Sequence, residues 1–183
     1  MGEVTQLGSP QTFQVKSIIK GALPTQSNDV ILAYRAELGE MSGAMSAVNY
    51  NLNHTEQKLG ALATALSRTS GDTGSSLSDI REATKELKQL QIKLNGHPIK
   101  GEIGERSNPT MRSRYSVASR GANSSYGPTK MHREQLALAK KEFNTIKSEL
   151  TQLSTKVNNI EQTLIKMGAP YIQGQNIPEI SGN

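Results

Sequence analysis

From Asn28 to Thr69 the chain reads NDVILAYRAELGEMSGAMSAVNYNLNHTEQKLGALATALSRT, and this stretch decides the fold. Ile31, Tyr34, Leu38, Met41, Met45, Val48, Leu52, Thr55, Leu59, Leu62 and Leu66 follow at spacings alternating three and four, and only Thr55 breaks the apolar character. A helix gathers such positions into one stripe, the seam along which helices interdigitate. The run predicts a helix over 28–69, with Asn28 or Asp29 able to cap an orphan N–H at its start. About 40 residues at 1.5 Å each make it roughly 60 Å long. Gly39 and Gly43, with Ala36 and Ala47, form a small-residue stripe beside the seam, which predicts close approach by another helix.

Downstream, Ser70 to Ser75 breaks the helix, and a short break favours an antiparallel neighbour. A second helix is expected over 76–95, with Ile80, Ala83, Leu87, Leu90 and Leu94 at the same spacing and Gly96 and Pro98 as the stop. Residues 97–127 are irregular apart from a short helix over 109–120, started by Ser107 or Asn108 before Pro109 and ended by Gly121. Met111, Tyr115 and Ala118 share one of its faces. Pro128 opens the last helix, 128–167, in which Leu136, Ala139, Phe143, Ile146, Leu150, Leu153, Val157, Ile160, Leu164 and Met167 repeat the pattern before Gly168 and Pro170 end it. The seam residues expected to carry the core are Leu38, Met45, Leu52, Leu59, Leu66, Leu87, Leu94, Phe143, Leu150, Val157 and Leu164.

Upstream, Phe13 and Val15 alternate with polar neighbours within 10–18, the period of a strand, and one strand needs a partner. Gly21 to Ser27 reads as a linker. The tail holds Tyr171, Ile172, Ile177, Pro178 and Ile180, apolar enough to lie against something. The resulting expectation is an all-α, elongated, antiparallel up-down-up bundle with coiled-coil-like seams, a broken middle column and one short N-terminal strand. Residues 1–24 would end a preceding β domain and its linker, 25–168 form the bundle, and 169–183 an extended tail. The alternative is an intermolecular coiled coil, in which a long helix finds its partner on another copy.

Composition agrees with a thin core. Of 183 residues 34% are hydrophobic, with no Trp and two Phe, so a core built on aromatics is excluded. The absence of cysteine excludes disulfides, thiolate metal sites and thiol nucleophiles. No apolar run approaches the roughly 20 residues of a membrane span.

Chemical motifs are sparse. His54, His97 and His132 share no motif with carboxylates, so no metal or cofactor is expected. Glu37 with Glu40 and Glu82 with Glu86 each share a helix face, but nothing places them across a substrate cleft. No nucleophile elbow, Walker loop or dinucleotide fingerprint occurs. The net charge of +5 is concentrated between Gly96 and Arg133, where seven cations face Glu102 and Glu105. Arg112, Arg114, Arg120, Lys130 and Arg133 are therefore the candidate polyanion contacts. A single tyrosine among them falls short of a base-stacking platform, so nucleic acid is a secondary reading.

Two segments carry a resemblance. Glu3 to Val15 resembles the last strand before the C-terminal helices of bacterial sortilin-like proteins, large BNR/Asp-box repeat β-propellers of glycosyl hydrolase type. Met167-Gly168-Ala169-Pro170-Tyr171 through Pro178-Glu179 resembles that family's closing signature, with Tyr171 and Gln175 where the family usually shows Trp and Arg. Pro128-Thr129 matches the opening of its last helix. The resemblance implies a C-terminal helical region of a secreted, periplasmic or cell-envelope propeller protein, whose hydrolase chemistry would belong to the propeller. No catalytic residue carries over to this chain. The first expectation is thus a non-catalytic accessory module, contacting its parent propeller in cis or a protein partner. Its rivals are a free-standing coiled-coil scaffold, with homo-oligomerisation, and a weak basic binder of nucleic acid or polyanions.

Overall fold

The computed structural model describes residues 8–16, 21, 23–70, 73–105 and 107–175. Helix α1 spans Asn28–Ser67, α2 Ser76–Asn95, α3 Pro98–Glu102, α4 Met111–Arg120 and α5 Lys130–Lys166, with a 3-10 turn over Gly121–Asn123. The bundle has three columns. The α1 and α5 helices run parallel: Lys140 meets Glu37 at 2.7 Å and Glu161 meets Lys58 at 2.8 Å, each pair 103 residues apart. The α2 helix runs antiparallel to both, with Lys93 on Glu149 at 2.7 Å and Lys156 between Glu82 and Glu86 at 2.9 Å.

The middle column is α2 continued by α4, with the connection looped out. Passing from Lys93–Glu149 to Arg114–Glu142 advances 21 residues in the middle column but only seven along α5, leaving 14 outside the column. The segment 96–109 has that length, which is two heptads. The seam phase of α2 therefore resumes in α4: Met111 follows Leu94 as a residue three positions on would, and Tyr115 and Ala118 continue the stripe. Arg112 Nε closes the gap by donating to Asn95 Oδ1 at 2.7 Å. The α3 turn in the looped-out segment was not expected from the sequence.

The seam forms one continuous core. Leu52, Leu62, Leu87, Leu94, Met111, Leu153, Val157 and Leu164 are buried, along with Leu38, Met45, Leu59, Leu66 and Leu150. Each fully buried leucine contributes about 1.5–3 kcal/mol relative to exposure. Phe143 departs from the expectation: it is half-buried, at the margin where α5 faces the outer side of α1. Thr55, the polar interruption, is buried and donates its hydroxyl to the Asn51 carbonyl one turn back.

The small-residue stripe is also corrected. No atom lies within 4 Å of where a Cβ would sit on Gly39 or Gly43, and Ala36 and Ala47 are exposed. The seam turns this stripe outward, so among the described residues no helix packs against Gly39 or Gly43, and Ala47 only borders a hollow shared with Phe143 and Lys147 of α5.

Helix starts differ by a residue or two. The N-cap of α1 is Ser27, not Asn28 or Asp29, and its side chain makes no capping bond. Thr110 caps α4 by accepting from Ser113 N, which leaves Pro109 outside. Thr129 caps α5, with His132 completing the reciprocal box, so Pro128 precedes the helix. Gly121 ends α4 as expected, as its C-cap, without a left-handed turn. Its φ is −64°, and the chain continues into the 3-10 turn. Glycine is required there for another reason: a Cβ would come within 2.8 Å of His132 Nδ1.

The expected strand over 10–18 does not form in its described part. Residues 9–16 have no regular structure, and Phe13 and Val15 are 86% and 80% exposed. No partner strand is present among the described residues, and an isolated strand leaves its backbone groups unpaired. Residues 17 and 18 lie outside the described residues, as do Ile177, Pro178 and Ile180 of the tail. Before them, Gly168 adopts φ +74° and ends α5 as expected. The chain then lays Ile172 into the core, 1% exposed. No described helix is long and apolar enough to cross a membrane.

Candidate functional site

The five candidate basic residues do not converge. Arg112 is held by Asn95 at the junction of α2 and α4. Arg114, with a side chain 20% exposed, donates through Nε to Glu142 at 2.7 Å and through Nη1 to Gln135 at 3.1 Å. These two arginines fasten the broken column to itself and to α5.

Arg120, Lys130 and Arg133 lie at the opposite end of α4, where α1 and α5 begin. There the Tyr34 hydroxyl sits 2.8 Å from the Ala118 carbonyl and 3.2 Å from that of His132, tying three helices together. Burial pushes the Tyr34 phenol pKa up; the Arg133 cation opposes this and Glu37 and Tyr115 add to it. Arg133 lies 5.8 Å from the Tyr34 ring centroid and donates to Gln26 Oε1 at 2.6 Å. Gln26 also donates to the Pro128 carbonyl at 2.7 Å, closing the linker onto the start of α5. Arg120 is exposed without a side-chain partner among the described residues, and Lys130 is 91% exposed beside Glu134 at 3.8 Å. Only these last two have the freedom a polyanion contact needs.

Of the paired carboxylates, Glu40 is exposed without a side-chain partner among the described residues, and the others are engaged in the frame. Glu37 pairs with Lys140, and Glu82 and Glu86 share Lys156, whose pKa they hold above its ordinary value. Glu161 is 7% exposed and pairs with Lys58 at 2.8 Å, but its Oε1 finds no hydrogen-bond partner among the described residues. The histidines are separate: His54 lies beside Tyr50, His97 accepts from Ile99 N, and His132 completes the α5 cap. Among the described residues no three His, Asp or Glu side chains gather as a metal site.

The sequence reading missed the cations that stay unpaired together. Arg81, Lys85 and Lys88 are exposed on α2, with no ion pair or side-chain hydrogen bond among the described residues. Their spacing, i, i+4 and i+7, opposite Ala83, Leu87 and Leu90, was the available signal. Two hollows flank the same region. One, of about 470 Å³, lies between α2, α5 and the looped-out segment, walled by Ile92, Pro109, Thr145 and Ile146. The other, of about 560 Å³, lies between Ile92 and Ile99 and opens beside Lys88.

Comparison with known proteins finds no matching family model, no matching curated protein and no matching solved structure.

Proposed function

We propose that the chain is a non-catalytic accessory module that packs against a β domain of a larger secreted or cell-envelope protein. The observation that carries this reading is the pair Phe13 and Val15. Two large apolar side chains alternate with polar residues, stand 86% and 80% exposed, and meet no strand among the described residues. Alternation of this kind suits a sheet edge whose inner face is covered by another domain. The resemblance of Glu3 to Val15 and of Met167 to Glu179 to the sortilin-like propeller proteins names that domain as a β-propeller. The carboxylates of the bundle support a structural role, because Glu37, Glu82, Glu86 and Glu161 all face lysines of neighbouring helices.

The test has two parts. The reading frame that encodes this chain should also encode Asp-box repeats and an export signal. The propeller they specify, expressed separately, should be retained by the immobilised chain, and Phe13→Asp with Val15→Asp should abolish retention. A frame without repeats, or retention indifferent to both substitutions, would overturn the proposal.

A further inference from the structure

We infer that the outward face of α2 is a docking surface for an acidic helical segment of a protein partner. This rests on the accessory-module reading only in that it names a second surface, apart from Phe13 and Val15, through which such a module meets a further protein partner.

Leu77, Arg81, Lys85, Lys88 and Ile92 lie on the face of α2 opposite Ile80, Ala83, Leu87 and Leu94, and all five are exposed. Six cations of the bundle, Lys58, Lys93, Lys100, Arg114, Lys140 and Lys156, have an acidic partner, and those left unpaired elsewhere, such as Arg120, Lys141, Lys147 and Lys166, do not fall in a row at one-turn spacing. Arg81, Lys85 and Lys88 have none among the described residues, although Glu82 and Glu86 are on the same helix. Those two glutamates turn toward Lys156 instead, so the outward face carries one sign of charge.

The stripe leads into an apolar hollow. Lys88 lines a space of about 560 Å³ together with Ile92, Gly96, Pro98 and Ile99. Ile92 and Ile99 are 38% and 58% exposed, a cost the bundle gains nothing from. Ile99 belongs to the segment that the middle column loops out. An apolar hollow beside a charged row is the usual anatomy of an anchor pocket with a steering rim.

The occupant follows from chemistry and spacing. Three cations over seven residues of rigid helix cover about 10 Å. Carboxylates one turn apart on a partner helix match that row, with a leucine-sized side chain one turn further on entering the hollow. A nucleic acid would want a row of rings to stack on, whereas the stripe carries none and His97 is the single ring lining the hollow. A membrane would want a continuous apolar band, whereas Leu77 and Ile92 stand at opposite ends of the cationic row.

The test uses the full chain, labelled with nitrogen-15, and a synthetic helical peptide carrying glutamates at i, i+4 and i+7 and a leucine one turn beyond. Amide shifts confined to 77–99 are expected, with affinity falling as salt rises. Changing Arg81, Lys85 and Lys88 together to Glu should weaken binding at least about tenfold. The triple Gln variant, which keeps the helix intact, should weaken it less, and Ile92→Gln should weaken it independently of salt. Lys141→Glu with Lys147→Glu, on the outside of α5, should leave it unchanged. Equal loss in the α5 variant, shifts outside 77–99, or no peptide binding overturns the proposal. So does use of the α2 face only by phosphatidylserine vesicles or by polyuridine RNA. The two readings fail separately: propeller retention without peptide binding at α2 sinks the docking surface alone, and peptide binding at α2 without propeller retention sinks the module alone.

Discussion

Arg112 reaches back across the break in the middle column and donates to Asn95 at 2.7 Å, joining the second residue of α4 to the last residue of α2. The 14 residues between Asn95 and Thr110 thus lie outside the path of the seam. Excising 96–109 so that Asn95 is followed by Thr110 should place Met111 three positions after Leu94, in phase. The excised protein should keep its helical circular dichroism per residue and a cooperative melt at an equal or higher midpoint, since a shorter connection costs less closure entropy. A broad, non-cooperative melt would show that the segment holds the column together.

Arg114 and Arg120 should separate sharply on substitution. Arg114→Gln removes a charge-assisted bond to Glu142 from a side chain only 20% exposed and should cost about 1.5–3 kcal/mol. Arg120→Gln, exposed and unpartnered among the described residues, should cost under about 0.5 kcal/mol. Urea midpoints decide between this and equal effects, which would return both residues to the role of surface charges.

Among the described residues Lys58 and Glu161 form the most buried ion pair, with side chains 19% and 10% exposed. Lys58→Met should destabilise by about 3–5 kcal/mol by stranding the Glu161 carboxylate. Lys58→Met with Glu161→Leu should recover most of that loss. A double variant as unstable as the sum of the single ones would show that the pair itself contributes net stability.

Tyr34 predicts an alkaline limit. Its folded pKa is raised above the ordinary 10.0, chiefly by burial, so the unfolded chain ionises first as pH rises. The contribution is intact below about pH 10 and is lost as pH passes through the folded value. Lys156, raised above 10.5 by Glu82 and Glu86, adds a slope of the same sign. Denaturation midpoints from pH 7 to 11 should hold steady and then fall. Tyr34→Phe should be less stable at neutral pH, having lost the bond to Ala118, and should fall less steeply above pH 10.

The seam was legible because periodicity is local: Leu38 through Leu66 declare their common face without reference to any neighbour. Leu52→Ala should accordingly cost about 2–5 kcal/mol. What the sequence concealed depends on register between columns. The pairing of Arg114 with Glu142 follows only once 14 residues are known to leave the path. Phe143 kept the spacing of the seam but lines a hollow between α1 and α5, so it is half-buried. Charge counting pointed to residues 96–133, yet pairing removed Arg112, Arg114 and Arg133 from the available set and left Arg81, Lys85 and Lys88 in a stretch that looked balanced.

The looped-out segment also makes the chain divisible. A protease cut near Gly104 would sever the backbone where it bears none of the seam, leaving one fragment with α1 and α2 and another with α4 and α5. Each fragment alone would expose a long apolar stripe, and each is the complement of the other. Mixed after separate expression, the two should find one another and restore the bundle, so the protein can be treated as a heterodimer that happens to be synthesised in one piece.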